Sequence, residues 1–333
     1  MSYTQFRTGY LKETTPGTSI ITAVGDTTYK LGAISEKSNH PSPVAFTNYI
    51  STGYNVKEVG AGGMWKDYYV VMGTYGFIFQ NGVPCWMAMG TSSTGAGPPY
   101  THTIGPTTDG AAIPSFTINH EQKGSATDEE YQFMGCKVDS LAMTYDMAGA
   151  PFLMGIMEVR GLKAQDGIAL TNDPVLPPTA NTDAYVQLER KWNTGGTNLD
   201  IDGLQKVTIN IANGLEPKYG RTWSAGTYTG MWPFQLLEAN RKQYRVEMLL
   251  HPKTIEREMW DSLISTTTAI TCTFKFIRSA TDYILVTVVG PIVEHELITP
   301  DAGESLLEKV VIEPYDLNIE VKDSITGTTY YGE

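Results

Sequence analysis

Positive charge is scarce in this chain. Against 36 Asp and Glu stand 24 Lys and Arg, a net charge of −12 over 333 residues, with a pI of about 4.9. Proteins that grip nucleic acid draw affinity from clustered Lys and Arg that release phosphate counterions. The densest basic stretch here, ANRKQYR (Ala239–Arg245), reads as a solvated strand edge. The balance speaks against tight DNA binding and leaves room for contact without retention. Cysteine is nearly absent too: Cys85, Cys136 and Cys272 are odd in number and far apart. No CxxC pair and no Cys/His cluster at zinc spacing occurs, so neither a disulfide framework nor structural zinc is expected. They read as small buried hydrophobes in a reducing compartment. No apolar run approaches the roughly 20 residues of a membrane helix. The opening MSYTQFRTGYLKETTPG carries no apolar signal core. The expectation is a soluble chain made in a cytoplasm, with no membrane insertion.

Catalytic patterns are missing as well. His40, His102, His120, His251 and His295 show no HxxxH spacing, and neither HExxH nor GxSxG occurs. His120 beside Glu121, and His295 between Glu294 and Glu296, have the residue types for acid–base work, but each reads as a polar residue in a turn or on a strand edge. The glycine-rich GAGG (Gly60–Gly63) and GTSSTGAG (Gly90–Gly97) lack the Lys of a phosphate loop. LDIDG (Leu199–Gly203) lacks the downstream Glu of a calcium loop and reads as a turn. The chain is not expected to be an enzyme. No catalytic residue, cofactor or metal site is assigned.

What the chain does have is apolar material in short strand-like runs. Hydrophobic residues make up 41% and charged residues only 18%, below the usual share of about a quarter. There is enough for real cores, with a surface left polar, uncharged or covered by partners. Residues 1–43 are rich in Thr, Gly, Ser and Pro and read as an N-terminal arm, mobile or ordered by a neighbouring chain. A first β domain is expected over 44–163. YYVVMGTYGFIF (Tyr68–Phe79) reads as strand. QNGVPCWMAMG (Gln80–Gly90) reads as a short helix with Pro84 in its first turn. A long Gly/Pro/Thr loop fills Thr91–Ala111. Two strand-like runs around a polar link fill Ile113–Asp146, and FLMGIMEVRG (Phe152–Gly161) closes the domain. Prolines 174, 177 and 178 stiffen a linker over 164–184.

A second β domain is expected over 185–333. KVTINIA (Lys206–Ala212) and KQYRVEMLL (Lys242–Leu250) read as strands. HPKTIEREMWDSLIS (His251–Ser265) has apolar residues at helical spacing. In YDLNIEVKD (Tyr315–Asp323), Leu317, Ile319 and Val321 take one face and Asp316, Asn318, Glu320 and Lys322 the other, as in a half-buried strand. The order of parts recurs loosely between the halves: strand, a segment with Pro and Trp (Pro84/Trp86; Pro252/Trp260), then more strands.

PSFTI (Pro114–Ile118), GCKVDSLAMT (Gly135–Thr144) and the Gly/Pro/Thr loop before them resemble the tail tube (major tail) proteins of long-tailed phages and archaeal viruses. VTINIA (Val207–Ala212) and the helical His251–Ser265 stretch look like a further domain of that type. The resemblance implies a mainly β protein: two tandem β-sandwich or barrel domains, each with a flanking helix, behind an arm. It implies a structural virion protein, synthesised in the host cytoplasm, that self-associates into stacked rings forming the hollow tube through which viral DNA passes. Tail tip and tail terminator proteins would be its other partners. Two domains per chain would allow three chains per ring, and six chains with one domain as outer decoration is the alternative. Interface anchors are expected among loop aromatics, Tyr54 and Trp65 in one region and Tyr219, Trp223, Tyr228 and Trp232 in the other. The Tyr and Trp residues of Tyr219–Trp232 also suit an alternative, a β-sandwich binding module such as an adhesin or carbohydrate-binding protein.

Overall fold

A computed structural model describes residues 3–23, 26–34, 39–49, 64–107, 112–124, 128–167, 169, 173–176, 183–193, 199–220, 222–224, 227–229, 232–238, 242–251, 269–298, 307–327 and 331. The elements of the first half begin with β1 (Tyr3–Lys12), β2 (Gly32–Ile34), β3 (Asn39–Tyr49) and the long β4 (Met64–Phe79). Helix α1 (Val83–Met89) comes next, followed by a hairpin of β5 (Gly90–Thr94) and β6 (Tyr100–Pro106). A second hairpin joins β7 (Phe116–Gly124) to β8 (Glu129–Asp146). Then β9 (Ala150–Gly161) runs through Leu162 into β10 (Lys163–Asp166).

The second half starts with β11 (Gln187–Asn193), β12 (Leu199–Asp200), β13 (Leu204–Ala212) and β14 (Leu215–Lys218). Short pieces follow, β15 (Thr222–Ser224), β16 (Thr227–Thr229) and β17 (Gln235–Glu238). The last are β18 (Gln243–Leu250), β19 (Ile270–Ser279), β20 (Asp282–Gly290), β21 (Ile292–Ile298), β22 (Leu307–Ile312) and β23 (Asp316–Asp323). The protein is mainly β, with antiparallel sheets, none closed into a barrel, consistent with a β-sandwich. α1 is the one helix among the described residues. The helix expected over His251–Ser265 lies outside them apart from His251.

A twelve-stranded sheet carries the path β2-β4-β9-β8-β13-β18-β22-β21, with β3 also on β4, and with β7 and β10 on β8 and β1 on β7. A seven-stranded sheet runs β12-β11-β19-β20-β23-β6-β5. Both sheets mix the two halves of the chain. β8 pairs with β13 from Asp146 opposite Lys206 to Ser140 opposite Ala212, and β6 from the first half lies beside β23. Along the long path the first half places β2, β4, β8 and β9 in the order β2-β4-β9-β8. The second half places β13, β18, β21 and β22 in the order β13-β18-β22-β21. Each set reads first, second, fourth, third. The seven-stranded sheet does not repeat in this way.

Alternation explains the layers. Val207, Ile209 and Ile211 on β13, and Val246, Met248 and Leu250 on β18, are fully buried and alternate with less buried residues. So are Phe274 and Phe276 on β19, Ile284, Val286 and Val288 on β20, and Ile319 and Val321 on β23, with Leu317 all but buried. These side chains form one core, each worth about 1.5–3 kcal/mol on full burial as an upper estimate. Two strands pass from one sheet to the other side by side. β20 becomes β21 through Pro291, and β22 leads into β23 through Glu313–Tyr315, tied by Glu313 N to Pro291 O (3.3 Å) and Tyr315 N to Val289 O (3.0 Å).

Residues expected in the arm form β1, which pairs with β7 from Lys12 opposite Phe116 to Tyr3 opposite Gly124. Glu13 is buried, its carboxylate accepting from Thr117 Oγ1 (2.8 Å), Gly135 N (2.8 Å) and Gly17 N (2.9 Å). Within the expected linker, Val175 exchanges backbone bonds with Lys30 (2.9 Å) and Thr28 (3.1 Å).

Candidate assembly surface

The face of the large sheet turned from the core is built from the alternate residues of the same strands. On β8 these are Ser140, Ala142, Thr144 and Asp146, on β13 Lys206, Thr208, Asn210 and Ala212, and on β18 Gln243, Arg245 and Glu247. Cross-strand register lines them up in rows. Thr144 stands opposite Thr208 with hydroxyls 3.3 Å apart, and Thr208 opposite Glu247. The face is largely polar, with exposed Ile156 opposite Ala142 and exposed Met72 opposite Arg160.

Several of the charges on and beside it are paired with one another. Arg160 donates to Asp139 (2.7 Å), and Ser140 donates to Glu158 (3.0 Å). Arg245 meets Glu247 (2.7 Å), Glu294 (3.4 Å) and Glu313 (3.5 Å), while Lys309 meets Glu294 (2.9 Å). The Lys309 hydrogen bond holds the Glu294 carboxyl below the usual carboxylate range, and Glu294 in turn raises Lys309. The hydrogen bond to Glu247 raises Arg245. Cations tied to carboxylates in this way are poor phosphate anchors.

The sheet's outer strand β21 carries exposed apolar groups, Val293 (43%), Leu297 (55%) and Ile298 (36%). Among the described strands, β22 is its only partner. An exposed apolar edge is a template for another chain.

The expected aromatic anchors divide. Tyr219 donates its hydroxyl to Tyr69 O on β4 (3.2 Å), and Trp232 stacks on the Tyr69 ring, 5.1 Å between centroids at 29°. These two thus converge on one residue of their own chain. Trp223 and Tyr228 stand opposite each other across the β15–β16 ribbon. Trp65 lies on β4 opposite Asn48 of β3. Tyr54 lies outside the described residues. Two candidates were missed: Phe234, 64% exposed two residues past Trp232, and Tyr315, 58% exposed at the strand crossing. Neither breaks a sequence pattern, so only the fold reveals them.

The side chains of His102, His120 and His295 are buried. His120 and Glu121 lie in the middle of β7, 2% and 1% exposed between β1 and β8. His120 Nδ1 meets Thr8 Oγ1 at 2.8 Å, and Arg7 lies 3.5 Å from Glu121. The turn or edge expected for them is replaced by a flanked strand, because β1 covers that side. His295 pairs with Glu308 at 3.2 Å. Glu121, Asp128 and Glu130 bring carboxylate oxygens within 4.8 Å of one another, a grouping the sequence did not suggest. His102, fully buried, contacts Asp323 (3.1 Å) and Thr94 (2.7 Å) and stacks on Tyr331 at 4.0 Å. Burial lifts the Cys85 and Cys272 thiols to about 12, which makes them inert as nucleophiles. Among the described residues, no helix is long and apolar enough to cross a membrane.

No curated protein matches the chain. A family model described as phage tail tube protein matches residues 66–232, from the start of β4 to Trp232. That stretch contains the β8–β13 join and half of the chain, and the chain belongs to the phage tail tube protein family.

Proposed function

We propose that this chain polymerises as stacked rings into the hollow tube of a long phage tail and that viral DNA passes through the lumen. The tail tube family makes its role structural and its location the virion, and a structural family points away from enzymatic activity. The observation that carries the finer reading is the eight-strand path with its largely polar face, on which Arg160, Arg245 and Lys309 are tied to carboxylates. A surface of short polar groups and paired charges lets a polyanion slide without gripping it. Head-to-tail contacts between rings give an open filament.

Two tube-type units, residues 44–163 and 185–333, would give six units from three chains per ring. Six chains per ring is the competing arrangement. Tyr54, Trp65, Tyr219, Trp223, Tyr228 and Trp232 are the proposed contact aromatics. Tail tip and terminator proteins would begin and end growth after synthesis in the host cytoplasm. Negative-stain microscopy over a concentration series is the test: hollow tubes or stacked rings are expected, and dispersed monomers at every concentration count against the reading. The mass of an isolated ring separates three chains from six. Trp223→Ala is expected to weaken assembly with the fold intact.

The exposed ring of Phe234 beside Trp232 favours a second reading, a carbohydrate-binding module. Stacking aromatics bind sugars, and hits on a glycan array without filaments would establish it.

A further inference from the structure

The core-facing pairs between β13 and β18 change character at one end. Ile209 stands opposite Val246 and Ile211 opposite Tyr244, and the register ends with Ala212 opposite Gln243. One step further the next pair is Asn213 and Lys242. Asn213 is fully buried. Its Nδ2 donates to Ala88 O (3.0 Å) and Val138 O (2.9 Å). Lys242 Nζ donates to the same Ala88 oxygen (3.3 Å) and to Met89 O (2.7 Å). Sharing that oxygen, the two nitrogens lie no more than 6.3 Å apart, 3.3 Å and 3.0 Å from it. Asn213 Oδ1 is buried too and accepts no hydrogen bond from the described residues. A carboxylate completes the group. Glu238, at the end of β17, accepts from Ile113 N through Oε1 (2.7 Å), and its charge acts on both Lys242 and Lys137.

We propose that Lys242 and Asn213 condense into an isopeptide bond within the chain, a covalent clasp between the ends of β13 and β18. Lys242 Nζ, as the free amine, turns from the α1 carbonyls and adds to Asn213 Cγ. The Cγ–Nδ2 bond breaks and ammonia leaves. The proton shed by Nζ passes through the Glu238 carboxylate to the departing nitrogen. One amide replaces another, so no oxidant, cofactor or activating group is consumed. Burial pushes Lys242 down to about 8, with Glu238 pulling it up and Lys137 down, so about a tenth of it is free amine near neutral pH. The open pair is the chain as synthesised. The bond closes after folding, because only the folded sheet sets Asn213 beside Lys242. It goes beyond the tube reading and does not depend on it. It fastens the base of segment 214–241, which carries Tyr219, Trp223, Tyr228 and Trp232.

The test follows the intact mass of the full chain during a week at about pH 7 and at about pH 9, with folding of each variant checked by circular dichroism. The expected product is lighter by about 17 Da, one ammonia, and its tryptic digest joins the Asn213 and Lys242 peptides. It forms about tenfold faster at the higher pH, following the free-amine fraction. Lys242→Arg keeps the charge and is expected to keep the parent mass. Glu238→Gln keeps an acceptor for Ile113 N and is expected to slow the reaction about tenfold or more. Gly214 follows Asn213, and cyclisation onto Gly214 N loses the same ammonia. That product persists in Lys242→Arg and gives no joined peptides, and finding it alone overturns the proposal. A folded parent chain of unchanged mass at about pH 9 overturns it as well. A Glu238→Gln rate equal to the parent's overturns the proton route.

Discussion

Asp323 sits where three distant parts of the chain meet. One carboxylate oxygen faces His102 Nε2 (3.1 Å) and accepts from Ile325 N (2.8 Å), while the other accepts from Tyr331 OH (2.7 Å). Gly82 N donates to the same Tyr331 oxygen (3.2 Å). Asp323→Ala leaves several buried donors unmatched and is expected to cost about 3 kcal/mol or more, read as a lower denaturant midpoint at unchanged slope. Lys242 gives a pH-dependent counterpart. Its ammonium donates to Met89 O (2.7 Å) and Ala88 O (3.3 Å) at the end of α1, and burial pushes its pKa down to about 8. An unfolded lysine titrates near 10.4. Between those values the unfolded chain holds a proton that the folded chain has released, so stability rises with pH across about 8 to 10.4. After discounting for partial exposure the gain is on the order of 1–2 kcal/mol. Lys242→Met is expected to flatten that rise relative to the parent, and parallel pH profiles of the two would refute the assignment. Sequence gave no sign of either residue's role, because their partners come from distant segments.

α1 shows what a very short helix needs. Seven residues cannot hold a helix alone in water, and all seven are buried here. Asn81 Oδ1 accepts from Val83 N (3.0 Å) at the start, and Asn213 Nδ2 donates to Ala88 O (3.0 Å) at the end. Gly90 terminates it with φ of 105°, and a Cβ there would lie 2.3 Å from Thr107 Cγ2. Gly90→Ala is expected to cost about 2 kcal/mol or more through strain and clash, measurable by thermal unfolding. Pro84 and the apolar run after it made this helix legible in the sequence, and strict alternation did the same for β23. β1 was not legible. Its burial comes from pairing with β7 more than a hundred residues away, which no local periodicity records. The flanked positions of His120 and Glu121 were hidden for the same reason.

The whole molecule is held by pairings that cross its midpoint. β13 needs β8 beside it, and β23 needs β6. A fragment of residues 185–333 exposes both flanks, so it is expected to aggregate or stay unfolded when expressed alone and to be rescued by co-expression with residues 1–184. A soluble, cooperatively unfolding fragment would show that the second unit is autonomous. Composition and strand pattern disclosed the mainly β class and the loose recurrence between halves. They could not disclose that the halves share both sheets, since register between distant strands is set by side-chain rows that exist only once folded. The paired charges of the outer face were hidden likewise, Arg245 and Glu313 being neighbours only across strands.

The place of the β5–β6 hairpin also sets a timetable. Its flank at β6 is completed by β23, which leaves the ribosome about 200 residues after it. The slot at the start of α1 waits even longer, for Tyr331. Such long-range closure slows folding. It also means that a nascent polypeptide has no complete second sheet until β23 has emerged.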